Sequence, residues 1–398
     1  MRKLVLLFLL LCPICLLNGC KAKYELDEIA IVVAAGVDTH EDGVEVTFQI
    51  TNPHGSAATS ATEGGGGEDA AVYSFSASGR TMLDAVNNAK DIIPRELFFS
   101  HMYYMIISET FIQEDGLTAL VDFIERDEEM RGQFPLFIAK DGPAKNILEV
   151  LTPLDENPAK TIVDEANVSS GEIGIRRDIK VNDVINWSNM PDRKPVLIGV
   201  KNISRNNSGS VSSLQNVKAN SFSLEELAVL KNWRLLFWMT KEQSRGWIFL
   251  NDFMENRAML NAACSNGYSG VRLKELSPAI KTSLQRNKLQ IDIHFKGTST
   301  LMETTCSYDL MKPDAIHRIE KDVENTIIKS VESMIHKSIE EEIDMTGIAA
   351  TFHRQHPKQW KTLQKNWLSY LENADIQMTA DMTIETPGMR FNHAEIKS

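Results

Sequence analysis

The sequence predicts an α+β protein of three mixed α/β units, in which mainly antiparallel sheets pack against helices. Three observations predict it. Several runs alternate apolar and polar residues with the period of a strand, others carry apolar residues at helical spacing, and a Ser- and Asn-rich stretch breaks the pattern from Lys201. A chain of 398 residues, 43% hydrophobic and 24% charged, is long enough for two or three cores at roughly 100–200 residues each.

The first unit spans residues 20–200. After a short charged lead, Ile29–Asp38 is a continuous apolar run and reads as a buried strand. A turn follows, and GVEVTFQI places Val44, Val46, Phe48 and Ile50 on one face and Glu45, Thr47 and Gln49 on the other, as in a half-buried antiparallel partner. His54–Ala71 is a low-complexity loop. Val72–Ser76 is a strand, and from Thr81, a candidate N-cap, Met82, Leu83, Val86, Ala89, Ile92 and Ile93 have helical spacing. FFSHMYYMIISE reads as one buried strand, GLTALVDFIERDEEMR as an amphipathic helix, FPLFIAK as a strand and AKNILEVLTPL as a short helix. PVLIGV closes the unit. Strand–helix alternation of this kind builds a layered α/β arrangement.

Residues 201–262 read as a linker followed by a small middle unit rich in aromatics, namely Trp233, Phe237, Trp238, Trp247 and Phe249. The C-terminal unit spans 263–398. KLQIDIHFKGTST alternates as a strand. From Asp314 a long amphipathic helix of roughly 30 residues, on the order of 45 Å, carries Ile316, Ile319, Val323, Ile327, Val331, Met334, Ile335 and Ile339 in one stripe laid across a sheet. A helical segment broken at Pro357 follows, and then a late strand of the same sheet with Ile376, Met378, Ala380, Met382 and Ile384 inward.

The N-terminus is of another kind. Arg2 and Lys3 precede Leu4–Leu17, an apolar stretch interrupted by Pro13, and then Asn18-Gly19-Cys20. This is the order of a secretory signal, residues 1–19, and it is short for a span, which needs about 20 residues. Leu17-Asn18-Gly19-Cys20 resembles the lipobox of bacterial lipoproteins, with Asn18 at a place that more often holds Ser, Thr, Ala or Val. Cys20 is therefore the expected lipidation site, carrying S-diacylglycerol and an acylated amine. Cys12 and Cys15 follow bulky residues and read as apolar filler. Each buried methylene contributes about 0.8 kcal/mol, so two or more chains suffice for stable anchoring. Removal of 1–19 takes the formal charge from −12 to −14. That balance argues against nucleic acid and against electrostatic docking to anionic lipid.

No enforced catalytic geometry is apparent. Asp38, His40, Asp42 and Gly43 imitate a calcium loop, but His40 and Gln49 stand where oxygen ligands belong, and a hairpin turn is the better reading. The glycines of 54–71 lack the Lys-Ser/Thr of a phosphate loop. His101 has no paired nucleophile and reads as a core or sheet-end residue. His353 and His356 have metal-ligand spacing without an evident acidic third ligand and read as surface residues. The aromatics of the middle unit read as core in preference to a ligand platform. Cys264 and Cys306 could form a disulfide outside the cytoplasm, although two cysteines do not prove one, and buried free thiols are the preferred reading.

Several ordered blocks nevertheless resemble one family. Cys20, Glu25, Leu26, Asp27, Glu28, Gly36 and Asp38 are similar to its opening element, although Lys21-Ala22 replaces a frequent Trp-Asp. ASGRTMLDAVNNAKDIIPRELFFSHMYYMIISE, VDFIERDEEMRGQFPLFIAK, ILEVLTPL, KEQSRGWIFL and FHRQHPKQWKTLQKNW resemble later blocks in order. On these residues the chain resembles the Ger(x)C family, C subunits of nutrient germinant receptors in spore-forming bacteria. The resemblance implies a three-domain α+β lipoprotein on the outer leaflet of the spore inner membrane. It implies partnership with membrane-embedded A and B subunits, and neither catalysis nor a cofactor. A membrane-tethered extracytoplasmic solute-binding protein or hydrolase stays open beside it.

Overall fold

The computed structural model describes Glu25 and residues 28–52, 72–150, 158–168, 179–204, 222–254 and 258–386. Two sheets organise these residues. The larger runs β3(Val72–Gly79)–β2(Gly43–Thr51)–β1(Ile29–His40)–β5(Tyr104–Ser108)–β6(Leu136–Ala139)–β7(Val196–Asn202)–β8(Phe222–Lys231)–β9(Arg234–Trp238), and β4(Glu96–Phe98) pairs with the start of β1. The smaller runs β10(Met259–Cys264)–β11(Gly267–Gln285)–β12(Lys288–Thr304)–β13(Asp375–Thr386). The α+β class therefore holds.

The centre of the large sheet, β1–β5–β6–β7, is parallel, and antiparallel hairpins extend it on both sides. Parallel strands need cover on both faces, and every residue of β5 and β6 is buried. On the β2 side the cover includes α1(Met82–Ala89), capped by Thr81, whose hydroxyl accepts from the amide of Asp84 at 3.1 Å. Next come α2(Glu109–Glu114) and α3(Thr118–Arg126), and then α4(Lys145–Leu148). The face of β2 expected to meet solvent is covered as well. Thr47 and Gln49 are buried, with Gln49 Nε2 donating to the carbonyl of Leu148 at 2.6 Å. The run expected as one strand, FFSHMYYMIISE, is two. β4 pairs with Ile29–Ile31 and β5 with Ala34–Val37, and the intervening chain loops past Val32 and Val33.

The segment expected as a separate middle unit, 201–262, is divided between the two sheets. β8 and β9 add to β7 in the large sheet, while β10 opens the small one. Between them α7(Lys241–Leu250) packs on α8(Pro313–Glu340), the expected long helix, which lies against β10 and β13. α5(Pro158–Val168) and α6(Val181–Asn189) precede β7. Over 28 residues α8 is about 42 Å long at 1.5 Å per residue. Ile319, Val323, Ile327, Val331, Met334 and Ile335 are buried, with Ile316 and Ile339 half-buried at the two ends of the stripe. α9(Ile348–Gln355), α10(Pro357–Leu363) and α11(Trp367–Glu372) return the chain to β13, which is parallel to β12.

Cys264 and Cys306 form a disulfide with Cα atoms 6.2 Å apart, which corrects the preference for free thiols. Strand register brings them together. Cys264 ends β10 opposite Gly267, and Thr305, just past β12, donates its amide to the carbonyl of Tyr268 at 2.9 Å. The bridge fastens an edge strand to the far end of a long hairpin.

Candidate functional site

Cys20 lies outside the described residues, as do the leader and the glycine-rich loop of 54–71. Among the described residues no helix is long and apolar enough to cross a membrane. Nor do three or more His, Cys, Asp or Glu side chains there group as metal ligands. Two places concentrate the residues singled out by the sequence, and a third lies apart from them.

The first is the corner of β1 and α4. A Cβ on Gly36 would stand 2.6 Å from Leu148 Cδ1 and 3.3 Å from Ala144 Cβ, so glycine is what lets α4 approach the strand. Two residues on, Asp38 is buried and accepts from the amides of Ala144 at 2.7 Å and Lys145 at 3.1 Å. It is a fastening for α4, and its carboxylate points at backbone donors. Burial pushes its pKa up, and these two hydrogen bonds pull the other way without cancelling the effect. The Gly-x-Asp element is thus a packing device.

The second place is the seam between the sheets. A Cβ on Gly246 would fall 2.1 Å from the carbonyl oxygen of Ser330, so glycine here lets α7 approach the backbone of α8 closely. Trp247 is fully buried, donates to the carbonyl of Met345 at 2.9 Å, and meets Trp187 and Phe253 edge-on or tilted, with centroids 6.1 and 5.1 Å away. The Ser244 hydroxyl accepts from the amide of Leu227 and so ties α7 to β8. Asp344, 7% exposed, is the polar hub. One oxygen accepts from the Thr346 amide and hydroxyl and from the Gly347 amide. The other accepts from the Ala349 amide and from Trp367 Nε1 at 2.8 Å.

His353 and His356 stand in this seam and part company. His353 Nδ1 is 2.8 Å from Asp192 Oδ2, and its ring stacks on Trp360 at 5.4 Å. His356 Nε2 donates to the carbonyl of Thr282 at 2.6 Å. Between them Gln355 accepts from the amide and hydroxyl of Thr282 and donates to the carbonyl of Ile280. His353 is exposed and His356 half-buried, so the surface reading holds for His353, and both rings have partners. His353 reaches the large-sheet unit, and His356 holds α9 to β11. Asp192 went unnoticed in sequence because it lies 161 residues from its partner in a polar turn.

The remaining aromatics are structural. Phe249 is buried, Trp233, Phe237 and Trp238 pack half-buried against the core, and Trp238 Nε1 donates to Glu109 at 2.8 Å. His101 is exposed in the turn after β4, its ring against Phe98.

The third place was not anticipated. A cleft of about 610 Å³ opens between the N-terminus of α1, the start of β2, and α2–α3. Its floor is Val44, Met82 and Phe111, all buried, and Phe123 and exposed Leu83 line it further. Arg80 pairs with Asp84 and Arg126 with Asp122, each at 2.9 Å. The Arg126 guanidinium holds the Asp122 carboxyl below its ordinary range. A periodic sequence pattern gives no sign of such a cleft, since each of its walls reads as an ordinary amphipathic element.

Comparison with known proteins agrees with the order of the blocks. Residues 22–201 match the family model described as "Spore germination protein N-terminal domain", and residues 225–388 match "Spore germination B3/ GerAC like, C-terminal". The chain is 26% identical over 400 residues to Spore germination protein KC of Bacillus subtilis (strain 168), which covers 98% of this chain and 97% of that one. It is 21% identical over 413 residues to Spore germination protein YndF of the same organism, with 93% and 94% covered. The crystal structure of the GerBC protein superposes with a TM-score of 0.56 at 16% identity, over 88% of this chain and 96% of that one, and shares the fold.

Proposed function

Because the chain belongs to the Ger(x)C family of spore germination proteins, we propose that it is the lipid-anchored C subunit of a nutrient germinant receptor. In this reading the leader of 1–19 is removed and Cys20 carries the acyl chains. The folded body then stands on the outer leaflet of the spore inner membrane. It works there with the A and B membrane subunits, supporting their assembly or signalling, and performs no catalysis.

The observation that carries the reading is the pair of family matches, in order, over 22–201 and 225–388. The seam supports it physically. The blocks KEQSRGWIFL and FHRQHPKQWKTLQKNW supply Ser244, Gly246, Trp247, Gln355, His356 and Trp367, and each of these closes a hydrogen bond or a helix contact. Residues spent in this way build a rigid body, which is what a scaffold subunit requires.

Replacement of Cys20 by Ala tests the proposal. The expected product is soluble or mislocalised on fractionation, and spores carrying it respond poorly to nutrients. Mass spectrometry that found the mature N-terminal residue unmodified on spore-derived protein, with nutrient response intact, would refute it.

A further inference from the structure

The cleft between α1 and α2–α3 combines two features that a merely unfilled surface does not. Its floor is apolar and closed by buried side chains, and its size falls within the roughly 300–1,000 Å³ usual for small-molecule sites. Its charges also do not cancel. The two cations that line it, Arg80 and Arg126, are each already paired with a carboxylate. Two further carboxylates line it without a cationic partner among the described residues. Asp115 accepts only a long bond from the Thr39 hydroxyl, at 3.4 Å. Asp127 turns one oxygen to the amides of Glu129 and Met130. Arg234, which approaches Gly116 of the cleft, has its guanidinium committed to the carbonyls of Gln113 and Glu114.

The placement of these two carboxylates is specific. Asp115 stands just before α3 and Asp127 just after it, so the helix forms one wall of the cleft with an uncompensated negative charge at each end. Asp127 also lies at the C-terminal end of α3, where the backbone dipole adds negative potential. An apolar body can enter beside Val44, Met82 and Phe111, but an anionic group on it would meet unpaired carboxylates.

We propose that this cleft is a binding site for a small organic cation with an apolar body, an aromatic or aliphatic amine. Its hydrocarbon part lies on the floor between Met82 and Phe123, and its ammonium group pairs with Asp115 or Asp127. None of its lining residues belongs to the seam, and its occupation does not depend on the receptor assignment.

The test uses phenethylamine and 3-phenylpropionate, two probes of similar shape and opposite charge. Each is titrated calorimetrically into the purified full chain in mild detergent, with the detergent solution alone as the blank. Phenethylamine is expected to bind at least tenfold more tightly than 3-phenylpropionate. Ala119→Trp, which fills the cleft from an exposed position on α3, is expected to weaken the amine at least tenfold with its unfolding temperature unchanged. Asp115→Asn gives an independent arm and is expected to narrow the preference for amine over acid without abolishing folding. Equal binding of the two probes, no binding of either, or undiminished amine binding by a folded Ala119→Trp variant would overturn the proposal. None of these outcomes bears on the Cys20→Ala experiment, so the two readings fail separately.

Discussion

The seam between the sheets and the cleft beside α3 are made of similar material, and they end in opposite states. Both collect aromatic side chains, a buried apolar floor and several carboxylates. In the seam every polar atom of the hub is used, since Asp344 accepts five hydrogen bonds and the indoles of Trp247 and Trp367 each have an acceptor. In the cleft the floor stays open and two carboxylates have no cationic partner among the described residues. The low dielectric of an interior penalises any unpaired polar group, so a packed region must satisfy its own groups, whereas an open one need not. A seam of this kind stabilises the fold, and a cleft of that kind is free to take something up.

That contrast can be broken by mutation. The largest effect is expected at Trp247→Ala, which empties a fully buried indole from the seam and should cost about 3–5 kcal/mol, read as a fall in the denaturant midpoint. Asp344→Asn keeps the shape of the hub but turns an amide toward backbone and indole donors. It should cost about 2–3 kcal/mol by the same measurement, because at least one buried donor loses its acceptor. If that variant proved neutral, the hub would not be what holds the seam. His353→Ala should cost at most about 1 kcal/mol, since the imidazole is half-exposed and its contact with Asp192 is partly screened.

Asp38 is the intermediate case, a buried carboxyl pushed above the ordinary 3.8 by desolvation. The fold therefore favours its protonated form. Its stabilising contribution is fully present below pH 3.8 and is lost as pH rises through the raised value. The stability of the wild type relative to Asp38→Asn should thus decline from acid toward neutral pH in parallel denaturant titrations. A flat difference would mean that the backbone donors of Ala144 and Lys145 offset burial completely.

Local signals read well and distant pairings did not. The period of 3.6 found α8 to within a residue of its start, and the period of 2 found the inward face of β13, where Ala380, Met382 and Ile384 are buried. Thr81 was legible as a cap because a cap is a matter of three residues. What failed was whatever depends on the partner across a gap. The split of β4 from β5 follows from where β1 offers free edge, not from the composition of FFSHMYYMIISE. Residues 201–262 open with a Ser- and Asn-rich stretch that reads as a boundary, yet the backbone of β8 bonds to β7 across that stretch. The disulfide needed the register of β10 on β11, which two isolated cysteines do not encode. His353 is exposed, as its sequence context suggested, and what the sequence did not reveal was its partner Asp192, remote in the chain. The unpaired carboxylates of the cleft were invisible for a related reason, since which acids lack a cation is known only once the helices are placed.

The division of strands in the large sheet has a consequence for synthesis. The N-terminal family match stops at residue 201, at the end of β7, while β8 and β9 arrive only with residues 222–238. A nascent chain halted at that point leaves the peptide groups of β7 uncapped on one side, a template on which a neighbouring polypeptide could polymerise. Gene fragments intended to yield a monodisperse N-terminal piece should accordingly run through Trp238.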